Sequence, residues 1–82
     1  MKTWTTYLDG WQSRTDASGT VEYRYLMQDT GKPAYAGAAR RYATVSRHPD
    51  GSVYGRSQYG YMRRYASVEA AKAAIGPQVG SR

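Results

Sequence analysis

Cysteine is absent from this chain of 82 residues. That excludes a disulfide framework, a thiolate metal site and a thiol nucleophile. The single histidine, His48, excludes His-rich metal clusters and speaks against a His-based triad. No apolar run approaches the ~18 residues of a membrane span, and the opening residues have no signal-peptide pattern. The expected setting is therefore cytoplasmic, in a bacterial or phage-infected cell, with no membrane contact. Phenylalanine is also absent, leucine occurs twice and isoleucine once. What remains apolar is mostly aromatic or small: nine Tyr, two Trp, three Met, five Val and eleven Ala. A domain of this size buries only about 60% of the surface its unfolded chain exposes. The large core side chains must then be mainly Trp, Tyr and Met, so several tyrosines belong to the core whatever else they do. The length fits one small domain over residues 1–77, with 78–82 as a flexible tail.

Turn signals break the chain at short intervals. Asp9-Gly10 lies between Trp4–Leu8 and Trp11–Ser13, and Asp16–Gly19 forms a second turn. Val21 to Gln28 reads as a strand, with Val21, Tyr23, Tyr25 and Met27 on one face and Glu22, Arg24 and Leu26 on the other. Asp29 to Gly37 reads as a loop through Gly31, Pro33 and Gly37. Arg40 to Arg47 is the next strand. His48-Pro49-Asp50-Gly51 is a turn in which proline presets φ and glycine is free to take positive φ. Ser52 to Ser57 returns antiparallel, Tyr59-Gly60 marks a further turn or bulge, and Tyr61 to Tyr65 is the last strand.

The period then changes from two to helical. Ser67 is an N-cap, Glu69 suits the positive end of the helix dipole, and Val68, Ala71, Lys72 and Ile75 share one face. Gly76 and Pro77 stop the helix. A helix this short must pack on something larger. The predicted fold is α+β: an antiparallel sheet of four or five strands with one C-terminal helix packed on one face. The alanine-rich helix can then lie close to the sheet, with large side chains coming from the strands.

Charge divides the chain unevenly. Residues 1–39 balance Lys2, Arg14, Arg24 and Lys32 against Asp9, Asp16, Glu22 and Asp29, so the net charge of +6 falls entirely on residues 40–82. Seven of the eight bases there are arginine, the residue suited to bidentate phosphate contact and to stacking. Arg and Tyr adjoin in Arg40-Arg41-Tyr42, in Tyr54-Gly55-Arg56 and in Tyr59 to Tyr65. Strand alternation puts Tyr42 with Arg40, and Tyr54 with Arg56, so one sheet face can offer both residue types. Arginine answers phosphates, and tyrosine stacks on unpaired bases. The same residues also suit cross-strand packing and cation–π pairs within the protein. The four Asp residues sit at turns, where they bond their own backbone. No phosphate loop, metal-ligand spacing or nucleophile elbow is present. The reading is of a non-enzyme without metal or cofactor.

Residues 42–75 contain Tyr42-Ala-Thr-Val-Ser-Arg-His-Pro-Asp-Gly51, then Ser52-Val-Tyr-Gly-Arg56, then Tyr61-Met-Arg-Arg-Tyr-Ala-Ser-Val-Glu-Ala-Ala-Lys-Ala-Ala-Ile75. This resembles the three-strand-then-helix pattern of AP2-type DNA-binding domains. Tyr65 ends the third strand, Ser67 caps the helix, and Glu69-Ala70-Ala71 follows in the same order. The resemblance implies a sheet laid in the major groove, with Arg47, Arg56 and Arg63 as contact positions.

The expected function is a small basic nucleic-acid-binding protein with Arg and Tyr on an exposed sheet face. The candidate binding residues are Arg40, Arg41, Tyr42, Arg47, Tyr54, Arg56, Tyr59, Tyr61, Arg63 and Arg64. The alternative is a small phage-type inhibitor or accessory protein that docks on a larger host protein, since Tyr, Trp and Arg also dominate protein interfaces. An oligomerising structural protein that joins sheet edges is a third possibility. The oligomeric state is left open.

Overall fold

The computed structural model describes residues 3–29 and 40–77. They form six antiparallel strands, β1 (Thr5–Thr6), β2 (Gln12–Thr15), β3 (Val21–Asp29), β4 (Arg40–Arg47), β5 (Val53–Arg56) and β6 (Met62–Tyr65), followed by helix α1 (Val68–Ile75). The strands lie side by side in chain order, a single meander. The α+β architecture agrees with the sequence reading, with one strand more than expected. The addition is understandable, since β1 pairs with β2 through only two residues, Thr5 with Ser13 and Thr6 with Gln12. The predicted loop at 30–37 and the tail at 78–82 lie outside the described residues; Asp29 itself is the last residue of β3.

Four of the connections are the same object. In each, the residue before a three-residue loop donates its N–H to the carbonyl of the residue after it. The loop glycine donates back to the carbonyl of that first residue, at 2.8–3.1 Å throughout. The pairs are Tyr7 with Trp11, Asp16 with Thr20, His48 with Ser52 and Ser57 with Tyr61, and the glycines have φ of 92–94°. This is a type I turn ending in a left-handed residue, whose twist suits a hairpin. At Gly51 any L side chain would be strained, although nothing else stands within 4 Å. Side chains reinforce the loops. Asp9 and Asp50 accept from the N–H two residues on, while Asp16 accepts from the Ser18 and Thr20 amides and Ser57 from those of Tyr59 and Tyr61.

The register defines the two faces of the sheet. Thr5, Ser13, Tyr23, Val45, Gly55 and Arg63 stand in one row across all six strands. This face meets α1, which crosses β4, β5 and β6. The helix begins as the sequence predicts, with the Ser67 hydroxyl accepting from the Ala70 N–H, and it ends at Gly76. Its Ala71 is fully buried against Ala43, Val45 and Val53. Closeness is possible because small residues face each other: a Cβ on Gly55 would stand 2.9 Å from the Tyr65 ring and 3.2 Å from Ile75. Among the described residues, Trp11 is the largest side chain buried in the core. Lys72 lies over its ring at 5.2 Å and over Tyr23 at 4.7 Å. Tyr23, Tyr25 and Tyr65 pack around the core without being fully buried, which leaves their hydroxyls access to water.

Two measurable consequences follow from this packing. Gly55→Ala should destabilise the fold by about 1–3 kcal/mol through overpacking, read from the urea midpoint. The second concerns acid. Asp16 is held below its ordinary value of 3.8, chiefly by the Ser18 hydroxyl, and Asp50 likewise, chiefly by the Ser52 amide. A carboxyl depressed in the folded state contributes stability above its ordinary value and loses it as pH falls through the lowered one. Melting temperature should therefore decline below about pH 5, and Asp16→Asn with Asp50→Asn should flatten that decline.

Candidate nucleic-acid interface

Among the described residues, no helix lies on the opposite face of the sheet. Two rows cross it: Thr6, Gln12, Arg24, Thr44, Arg56 and Met62, then Arg14, Glu22, Ser46, Tyr54 and Arg64. Leu26 and Tyr42 pair on the same side. In the middle, β4 contributes only short hydroxyl side chains, Thr44 and Ser46. The neighbouring strands carry long ones, so a trough follows β4. Its two widenings have volumes of about 260 and 220 Å3 and share Thr44 and Ser46 as floor. Trp4, Arg14, Arg24 and Tyr42 bound the first, and Tyr54, Arg56 and Met62 bound the second.

The first widening is built from interlocked side chains. The Arg24 guanidinium lies 4.0 Å from the centre of the Trp4 ring and 4.6 Å from that of Tyr42. Arg14 lies 4.5 Å from the same Trp4 ring. Each arginine is tethered through Nε: Arg14 donates to Glu22 at 2.8 Å, and Arg24 donates to Gln12 Oε1 at 2.7 Å. Gln12 in turn donates to the Thr6 hydroxyl at 3.0 Å. The Arg14–Glu22 pair is the only ion pair among the described residues, so Arg24, Arg56 and Arg64 have no carboxylate salt-bridge partner there. Counting one charge each among the residues whose side chains are described, this face has four arginines against one glutamate. At its far end His48 meets Tyr54 edge-on at 5.7 Å and approaches the Thr20 hydroxyl at 3.4 Å.

The ten residues singled out by sequence do not share one face. Tyr42, Tyr54, Arg56 and Arg64 are on the open side. Arg47, opposite Val53, and Arg63, opposite Gly55, are exposed but on the helix side, because residues an odd number apart along a strand point oppositely. The positions suggested by the AP2-type resemblance, Arg47, Arg56 and Arg63, are thereby divided between the faces. Arg41 is exposed and adjoins Tyr42 on the opposite side of β4. Arg40 pairs its backbone with Asp29. Tyr59 and Tyr61, 68% and 75% exposed, stand at the tip of the β5–β6 hairpin rather than over the trough.

The sequence reading also passed over Trp4, Gln12, Arg14 and Arg24. These lie in the charge-neutral half of the chain, yet they form one wall of the trough. The available signal was period-two alternation, which places Gln12 with Arg14 and Glu22 with Arg24 on common faces. No protein family, curated protein or solved structure matches the chain, so the chemistry of this face is read from its own geometry.

The stacking of Trp4 on Arg24 should be measurable as coupling. In a double-mutant cycle with Trp4→Ala and Arg24→Ala, urea unfolding should give an interaction energy of about 0.5–1 kcal/mol, the range for a cation–π pair near the surface.

Proposed function

We propose that the protein binds nucleic acid through the open face of its sheet. The observation that carries this reading is the trough along β4, with arginines and aromatic rings on both walls and small hydroxyls on its floor. A polyanion brings phosphates for Arg56 and Arg64, neither of which forms a carboxylate salt bridge among the described residues, although the Arg64 charge is felt by Asp50 at longer range. Hydroxyls at Thr44 and Ser46 offer donors and acceptors to whatever lies in the trough. Tyr54 supplies an aromatic face beside them. The resemblance of residues 42–75 to AP2-type domains implies a similar mode, a sheet face against the nucleic acid, but of the contact positions it implies only Arg56 lies on the open face.

A protein partner is the second reading. The exposed Tyr59, Tyr61 and Met62 favour it, since such side chains are enriched where proteins dock. The two readings separate in one titration series of labelled oligonucleotides at several salt concentrations. Nucleic-acid binding predicts that Arg56→Ala and Arg64→Ala each lower the salt slope of log K by ~0.7–0.9, whereas Arg47→Ala on the other face leaves it unchanged. Equal effects from Arg47 and Arg56 would remove the open face from the proposal. Absence of oligonucleotide binding at about 0.15 M salt would favour the protein partner.

A further inference from the structure

We infer that Arg24 is a guanine-reading residue, set apart from the phosphate-contacting arginines by the way its neighbours hold it. The inference rests on the proposed nucleic-acid reading and goes beyond it, to a base edge and a residue. It concerns a position outside the stretch that resembles AP2-type domains.

The Arg24 guanidinium is flanked by Trp4 at 4.0 Å and Tyr42 at 4.6 Å. Stacking leaves in-plane hydrogen bonding as the main polar option for such a group. Its Nε is taken by Gln12 at 2.7 Å, and Gln12 is itself fixed by Thr6. The two terminal nitrogens have no acceptor among the described residues, and Arg24 lines the wider part of the trough. The result is a planar fork of N–H donors, held in position before any ligand arrives.

Its neighbour makes the contrast. Arg14 has the same Nε tether and the same Trp4 ring, but its tether is Glu22, which cancels its charge. Gln12 orients Arg24 without neutralising it. Arg56 and Arg64 have no tether of either kind among the described residues. Phosphate contact tolerates a mobile cation, because a phosphate presents acceptors in many directions. The guanine O6 and N7 atoms present two acceptors along one edge, and a fixed fork matches them bidentately. Arg24 on β3 and Arg56 on β5 flank the trough from the two interior strands beside β4, and of the two only Arg24 is tethered and stacked.

The test uses the whole protein and short labelled oligonucleotides, single-stranded and annealed, containing guanine, hypoxanthine, 7-deazaguanine or adenine at the same positions. Hypoxanthine keeps O6 and N7, 7-deazaguanine loses N7, and adenine replaces the O6 acceptor with a donor. Affinity should be alike for guanine and hypoxanthine and roughly ten- to hundredfold weaker for the other two. Arg24→Lys keeps the charge and removes the fork. It should abolish the preference while leaving the salt slope as it was. Gln12→Ala should reduce the preference by freeing Nε.

Equal binding of guanine and 7-deazaguanine by the unaltered protein would overturn the inference whether or not the variants fold. So would a preference that survives in folded Arg24→Lys. If oligonucleotides bind with the salt dependence assigned to Arg56 and Arg64 but without guanine preference, the guanine inference fails and the binding reading stands. If none binds, both fail.

Discussion

The close seating of α1 on one face of the sheet is the constraint from which the other features follow. The chain has few large aliphatic side chains, so its core depends on small residues meeting at short range. Ala43, Val45 and Val53 on the strands take Ala71 from the helix, and Gly55 leaves room for Tyr65 and Ile75. Trp11 fills the end of this arrangement beneath Lys72. A single short helix can cover only part of one side. With the apolar strand positions turned toward it, the alternate positions turn away, and there the chain carries arginine, hydroxyl and aromatic side chains.

That division explains how a neutral stretch of sequence contributes to a basic site. Charge summed along residues 1–39 is zero, but the sheet sorts the residues spatially. Arg14, Glu22 and Arg24 are sent to the open face, while Asp9 and Asp16 bond loop amides. The acidic residues of these turns are thus engaged with backbone amides. The same sorting takes Arg47 and Arg63 out of the face that holds Arg56 and Arg64.

Much of the fold was legible because its signals are local. Asp-Gly and Gly punctuation located the turns, alternation located β3 and β4, and Ser67 with Gly76 bounded α1. The two-residue β1 carries too little pattern to count as a strand, since its pairing depends on β2 beside it. The trough was less legible than the elements that form it. That Thr44 and Ser46 would sit between longer side chains depends on the register of β3, β4 and β5. The contact of Trp4 with Arg24 joins residues twenty apart through two strand pairings, which no local pattern announces. Tyrosine was ambiguous for a different reason: its ring suits a core margin, an open face and a hairpin tip equally, and this chain uses it in all three.

The meander has a consequence for how the chain reaches its native state. Every described strand pairing joins neighbours in sequence, and four connections close over three residues each. Closing so short a loop costs little chain entropy, so each hairpin can form before any distant segment has been found. Low sequence separation between partners is the topological condition for rapid folding, and sheets seldom meet it. Here the sheet can zip outward from several turns at once. The helix, last in the chain, docks on strands that are already paired.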